Sequence, residues 1–273
     1  MLLQVQLPID LTLASTTPAA AVKLCVTVGL QLVNMATIIQ GVTLNGLNVY
    51  DASFNGNSAL LYVDAGNAAS YPGTGTTWTG LSTNASNATL VGSPPWTSAG
   101  TASYFSFNGT GAQYASTTSS KFNVVYTGKT VFFAARMTAF TAGTYRCVFG
   151  TNAGTRNFNT YIYSPSSGVY QIHYSASGVG GLSNNLSLTT NQWFVGAVTQ
   201  TTGGLVTYYF NGQAAGTNTG VTFVQYAANG GEFVALADNF WLGDIGVCAV
   251  YGQALTADQI QQNFNAIRSR YGI

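Results

Sequence analysis

Phe240-Trp241-Leu242-Gly243-Asp244-Ile245-Gly246-Val247-Cys248-Ala249-Val250-Tyr251 reads as a β-strand without a polar face. Ile245, Val247, Ala249 and Tyr251 alternate onto one side, and Cys248 and Val250 onto the other. Apolar residues on both sides place a strand inside a sheet and covered above and below, not at an edge. A turn follows, then a short helix whose ends are both legible. Thr256 and Gln259 form a T-x-x-Q capping box, in which each side chain satisfies a backbone N–H of the first turn. Ile260, Phe264, Ile267 and Tyr271 recur at helical spacing and make one apolar stripe. Arg268 and Arg270 fall in the last turn, where a cation meets the negative end of the helix dipole, and Gly272 ends the helix. A single short helix after a doubly covered strand predicts a β-sandwich whose final strand locks a sheet.

Composition narrows the class. The chain has 273 residues, enough to bury a full core in one β domain. Only 5% of residues are charged, against about 25% in an ordinary soluble domain, so Ser, Thr, Asn, Gln and Gly supply the polar surface. A formal charge of +1 gives no phosphate-binding footprint, which excludes nucleic acid as an expected partner. So few charges also mean little repulsion between copies, as suits a protein of an ordered assembly or of the extracellular space. Cys25, Cys147 and Cys248 are too few and too scattered for a disulfide framework or a zinc site, and are expected as buried thiols. Lys23 interrupts the first apolar run and no basic segment precedes it, so a cleaved signal peptide is not expected. No uninterrupted apolar stretch of about 20 residues is present, so no membrane-crossing helix is expected.

The first 58 residues read differently from the rest. Leu3, Val5, Leu7, Ile9, Leu11 and Leu13 alternate with polar residues and Pro8. After Ser15-Thr16-Thr17-Pro18 the alternation resumes through Val22, Leu24, Val26 and Val28. Period two over two such runs predicts two strands, each with one apolar face. Pro8 lacks a ladder donor and places the first strand at an edge or a bulge. A two-stranded ribbon is barely stable alone, so these faces are expected to cover something. That something is either this chain's own sandwich or a neighbouring subunit reached by an N-terminal β-arm spanning residues 1–58.

Residues 59–273 form one run of short strands separated by turns, with no internal repeat. Asn211-Gly212 between Val206–Phe210 and Gln213–Thr217 is a strong hairpin signal. Thr130–Met137, Tyr145–Phe149, Thr160–Tyr163, Tyr170–Tyr174 and Trp193–Thr199 are further strand candidates. Turns at this spacing point to an all-β sandwich or jelly roll and not to a parallel sheet.

Five stretches follow one another: Leu61-Tyr62-Val63-Asp64-Ala65-Gly66-Asn67 with Ser70-Tyr71-Pro72-Gly73, Trp78 and Leu81-Ser82; Tyr104-Phe105-Ser106-Phe107-Asn108-Gly109 through Tyr114; Gln192-Trp193-Phe194-Val195-Gly196-Ala197-Val198-Thr199; Tyr209-Phe210-Asn211-Gly212-Gln213; and Leu242–Gly246 through Tyr251, Ala254-Leu255-Thr256 and Ile260. In this order they resemble the laminin-G-like, or concanavalin A-like, jelly-roll domains of phage and bacterial surface proteins, which implies an all-β, two-sheet antiparallel jelly-roll sandwich. The resemblance covers about residues 60–273. It implies two packed sheets of six or seven strands with the first and last strands adjacent. Some relatives bind calcium through carboxylates. Here Asn108 replaces the usual Asp and no acidic residue stands beside Gly246-Val247, so no metal is expected.

Folds of this kind also carry glycoside hydrolases, whose retaining mechanism needs two carboxylates about 5 Å apart. The sole glutamate is Glu232, and Asp238 and Asp244 are separated by Phe240-Trp241. The sole histidine, His173, has no acidic neighbour in sequence and is expected on a strand face, not as a general base. The expectation is a protein that is not an enzyme and holds no cofactor. Carbohydrate binding fits the abundance of aromatic and amide side chains. Tyr71, Trp78 and Trp96 lie in Pro/Gly-rich stretches and are candidates for a stacking platform, the alternative being that the two tryptophans cap the core ends. Trp193 and Trp241 lie within strands and are expected in the core. The leading expectation is a structural protein of a virus particle surface, a capsid decoration (cement) protein on the virion. It would assemble through its arm with other copies of itself and a shell protein. Next come a glycan-binding adhesin or receptor-binding fibre domain, and then a bacterial cell-surface layer protein.

Overall fold

In the computed structural model, the described residues are 43–44, 47–48, 58–82, 86–117, 126–151, 159–176, 179–223, 232–234 and 240–273. The expected arm residues Leu3, Val5, Leu7, Ile9, Leu11, Leu13, Val22, Leu24, Val26 and Val28 lie outside them. The chain divides into two units, Met1–Asp51 and Ala52–Ile273. In the first, β1 (Thr43–Leu44) pairs antiparallel with β2 (Leu47–Asn48). The second carries the sandwich.

Two antiparallel eight-stranded sheets build it. Sheet I runs β16 (Gln213–Asn218), β15 (Val206–Phe210), β14 (Trp193–Thr201), β9 (Gly128–Met137), β18 (Leu242–Tyr251), β7 (Tyr104–Asn108), β6 (Trp96–Thr97), with β3 (Ala59–Asp64) also on β18. Sheet II runs β13 (Val179–Leu182), β12 (Val169–Ala176), β11 (Asn159–Ser166), β10 (Thr144–Thr151), β17 (Glu232–Val234), β8 (Tyr114–Thr117), β5 (Ala88–Val91), β4 (Thr77–Trp78). The sheets exceed the expected six or seven strands because short pieces such as β4, β6 and β17 add to their edges and gaps.

β18 is the hub. On one side it pairs with β9 along its whole length. On the other, Leu242–Ile245 meets β7 and Val247–Tyr251 meets β3, so first and last strands of the sandwich are neighbours. Its inner face packs Ile245, Cys248 and Val250 with Phe105, Phe133, Phe149, Ile162, Ile172 and Tyr174 between the sheets. Its outer face gives Val247, Ala249 and Tyr251 to a second cluster beneath the C-terminal helix. Ile245 therefore lies on the face opposite to Val247, against strict alternation. The cause is a bulge: pairing with β9 shifts register between Ile245 and Val247, so Gly246 inserts one extra residue and inverts the phase. A Cβ at Gly246 would lie 2.1 Å from Tyr271 Oη.

The helix α1 (Ala257–Ile267) starts as its sequence dictates. Thr256 accepts from the Gln259 N–H, and the Gln259 side chain accepts from the Thr256 N–H. Ile260, Phe264 and Ile267 are buried against Phe132, Val195, Ala197 and Ala249. A 3-10 turn, Arg268–Tyr271, continues it to Gly272. Arg270 does more than face a dipole: its Nη1 and Nη2 donate to Asp64 Oδ2 and Oδ1 at 2.7 and 2.5 Å, and Nε donates to the Thr101 carbonyl at 2.7 Å. With side-chain exposures of 16% and 3%, this fork ties the chain's end to β3 in a setting largely shielded from water.

The hairpin at Asn211-Gly212 has both central residues at positive φ, 47° and 80°, as a type I′ turn requires. Asn211 Oδ1 also accepts from the Val195 N–H, anchoring the turn to β14.

Two stability measurements test the C-terminal clamp. Arg270→Ala strands the Asp64 carboxylate and is expected to cost about 3 kcal/mol in urea unfolding, more than the double variant Asp64→Asn/Arg270→Met. Gly246→Ala is expected to cost about 2 kcal/mol by overpacking against Tyr271, with partial recovery when Tyr271→Phe removes the hydroxyl. An equal loss with and without that second change would show that backbone conformation, not the contact, sets the cost.

Candidate functional site

Sheet II leaves its outer face to a ladder of aromatic and amide side chains. Cross-strand register builds it row by row. Tyr145 pairs with Tyr163, and Tyr163 with Gln171. In the next row Cys147 pairs with Tyr161, Tyr161 with His173, and His173 with Leu182. The intervening residues Val148, Ile162, Ile172 and Tyr174 turn into the main core, which places both rows on the side away from it. Sheet I differs: its outer face is taken by α1.

The rings are packed on one another. Tyr145 and Tyr163 stack with centroids 4.3 Å apart and planes 18° from parallel. His173 lies 5.0 Å from Tyr145 and 5.7 Å from Tyr161. Tyr161 is buried and receives a 2.6 Å hydrogen bond on its hydroxyl from Asn159 Nδ2, fixing the floor. Tyr145, Tyr163, Gln171 and His173 are half-buried, and Leu182, at 36%, is one of two large exposed hydrophobic residues among those described. Gln171 Nε2 donates to the Ser183 carbonyl at 2.9 Å. Gly180 makes room for the imidazole, since a Cβ there would lie 2.6 Å from His173 Nε2.

The electrostatics are those of a neutral surface. Burial lowers the His173 imidazole to about 4, so the ring is uncharged at neutral pH, and its Nδ1 has no partner among the described residues. Burial, reinforced by Tyr163, holds the Tyr145 phenol above its ordinary value. The half-buried histidine matches its expected place on a strand face. No group of three or more His, Cys, Asp or Glu side chains suited to a metal occurs among the described residues. The arrangement can offer flat apolar rings, phenol hydroxyls and an amide to a ligand. It offers no nucleophile–base pair.

The sequence-derived stacking candidates assemble elsewhere. Trp78 is 0% exposed and Tyr71 7%, each edge-on to Phe105 at 4.8 Å. The Tyr71 hydroxyl donates to the Gly75 carbonyl at 3.1 Å. Trp96 is half-buried, meets Tyr71 edge-on at 5.5 Å and donates from Nε1 to the Ala65 carbonyl at 3.1 Å. The three do come together, but as a plug for the sandwich end. A ring without exposed area cannot stack on a sugar, so Tyr71 and Trp78 are core residues and only Trp96 keeps an open edge. Trp241 is buried as expected. Trp193 is not: it lies half-buried on the outer face of sheet I, 4.4 Å from Tyr271. There it and Tyr104 flank the Arg136 guanidinium at 5.3 and 5.0 Å, while Arg136 Nε and Nη2 each contact Asp244 Oδ2 at 2.7 Å. Ser106 donates to the other oxygen of Asp244 at 2.6 Å. Both fully described strand aspartates, Asp64 and Asp244, are thus engaged by arginines.

The strand signals for Tyr145–Phe149, Thr160–Tyr163 and Tyr170–Tyr174 contained the face. Alternation put Tyr145, Tyr161, Tyr163 and His173 opposite the aliphatic positions, but pairing order is needed to see that they meet.

The model of the concanavalin A-like lectin/glucanases superfamily matches residues 108–261. No curated protein matches the sequence. Among solved structures, the binding domain of Paraclostridial Mosquitocidal Protein 1 is similar with a TM-score of 0.60 and 12% identity, over 77% of this chain and 52% of that one. The binding domain of Botulinum Neurotoxin DC in complex with SialylT gives 0.57 and 14%, over 78% and 52%. A Trypanosoma rangeli sialidase gives 0.54 and 13%, over 77% of this chain and 33% of that one. The chain thus spans about half the length of the two toxin domains and a third of the sialidase, and at these identities the likeness is one of fold. With the family model matching more than half of its length, and the sandwich built around β18 as described, this chain belongs to the concanavalin A-like lectin/glucanase superfamily.

Proposed function

We propose that the chain is a non-catalytic carbohydrate-binding module of a particle or cell surface, with the outer face of sheet II as its sugar platform. The observation that carries this reading is the half-buried, stacked Tyr145–Tyr163 pair beside His173 and the exposed Leu182, over a buried floor of Cys147 and Tyr161. Sugars present C–H faces that pack on aromatic rings, while their hydroxyls bond phenols and amides, and this ladder supplies both. The toxin binding domains and the matched third of the sialidase share the fold alone, so the site must decide between binding and catalysis. Here Asp64 and Asp244 are bonded to guanidinium groups and His173 has no acidic partner among the described residues, which supports binding without hydrolysis.

A second reading concerns where the module works. The period-two alternation of Leu3–Leu13 and Val22–Val28, with 5% charged residues overall, favours a virion surface protein held to other copies or to a shell protein by its N-terminal segment. Display on a bacterial cell surface is the alternative. The two readings are compatible, one describing the ligand face and the other the attachment.

Two experiments test them. On a glycan array followed by calorimetric titration, Tyr163→Ala and Tyr145→Ala should each weaken binding about tenfold or more, equivalent to about 1.4 kcal/mol, with little change in melting temperature. Trp78→Ala should instead lower stability by about 3 kcal/mol or more as a core truncation. Absence of any glycan hit would count against the platform. For attachment, removal of residues 1–34 should leave the sandwich melting unchanged and abolish incorporation into particles; normal incorporation would remove the second reading.

A further inference from the structure

The sheet II ladder is neutral throughout, and this restricts what it can hold. The described side chains that reach its surface are Tyr145, Tyr163, Gln171, His173 and Leu182, placed by the pairing of β10 to β13, over buried Cys147, Asn159, Tyr161 and Ser175. No Lys, Arg, Asp or Glu is among them. The nearest charged residue of these strands in sequence, Arg146, belongs to the core-facing phase of β10, paired with Ile162, and its Nη1 donates to the Phe240 carbonyl at 3.2 Å. An acidic sugar stacked on this face would lose water around its carboxylate or sulfate without gaining a cation, a cost of several kcal/mol. An uncharged sugar meets no such cost.

We infer that the ligand class of this face is an uncharged oligosaccharide, stacked on Tyr145 and Tyr163, and that sialylated or sulfated glycans are rejected. This rests on the proposed carbohydrate-binding function and adds the ligand's charge to it. The toxin domain in complex with SialylT shares the fold alone and lends this face no ligand. Binding also has a defined pH behaviour. Among the described residues, the groups facing His173 are Tyr145 from β10, Tyr161 from β11, and Gly180 and Leu182 from β13, none of them charged near neutrality. Because the imidazole protonates only near pH 4, no charge arises on the ladder between pH 5 and pH 8, and affinity stays constant across that range.

The test uses the full chain on an array in which each neutral oligosaccharide is paired with its sialylated or sulfated counterpart. Hits are then titrated at 50 and 500 mM NaCl and at pH 5 and pH 8. The expected result is binding to neutral members only, changed less than twofold by salt or pH and lost in Tyr163→Ala. Arg268→Gln, on the 3-10 turn that follows the helix covering sheet I, should leave it unaltered. Binding confined to the acidic members, weakening tenfold or more in high salt, would overturn this inference while leaving carbohydrate binding in place. Binding to neither class would overturn the carbohydrate reading itself, and this inference with it.

Discussion

A strand that is covered on both faces and paired on both edges has nowhere to go, and β18 is that strand. Its N-terminal half pairs with β7 and its C-terminal half with β3, with β9 along the other side, so it cannot shift register without breaking three ladders. Gly246 reconciles the two halves. By inserting one residue at the point where the partner changes from β7 to β3, the bulge turns Ile245 toward the sandwich core and Val247 toward the helix. The space left by its missing side chain admits the Tyr271 hydroxyl. Tyr271 in turn packs on Trp193 and lies beside Arg270, which grips Asp64 on β3. Bulge, helix end and first strand therefore form one closed chain of contacts, each depending on the position of the others.

That closure also accounts for how the few charges are used. In the sandwich unit, Arg270 with Asp64 and Arg136 with Asp244 are paired in shielded positions, and Lys129 is fully buried, lowered by that burial to about 7. Buried ion pairs contribute specificity and geometry more dependably than net stability. Here they fix the rim of sheet I, the sheet that the helix covers. Among the described residues of β10 to β13, the outer face of sheet II carries none of this ionic framing and is built from rings and amides. The two outer faces thus differ in chemistry, the one on sheet I being an internal interface with the C-terminal helix.

How much of this could be read from the residues alone depends on the range of the interaction. The capping box at Thr256 and Gln259, the apolar stripe Ile260–Tyr271 and the Asn211-Gly212 hairpin are local, and the structure has them where the sequence places them. The pairing of first and last strands came through motif order. The bulge at Gly246 did not emerge, because strict alternation assumes one residue per pairing step and a glycine between apolar neighbours carries no phase of its own. Trp78 and Tyr71 misled for a related reason. Their Pro/Gly-rich setting marks a turn, but whether a turn's ring points out or folds under the sheet end depends on Phe105, remote in sequence. The ring cluster of sheet II is equally hidden, since Tyr145, Tyr163 and His173 belong to three strands and become neighbours only through register.

Their packing bears on how such a face would bind. An exposed tyrosine that must settle on a ligand gives up side-chain freedom at that moment, which reduces the affinity gained from stacking. Tyr145 and Tyr163 have already given it up to one another, held parallel at 4.3 Å, and Tyr161 is pinned from below by Asn159. Gly180 lets His173 close the row at the cost of a side chain on β13. The entropy of ordering the rings is thus met during folding, by the same strand register that builds sheet II. If this surface binds as proposed, a ligand would have to match a fixed shape, and selectivity would follow from the flatness and neutrality of the face more than from induced rearrangement.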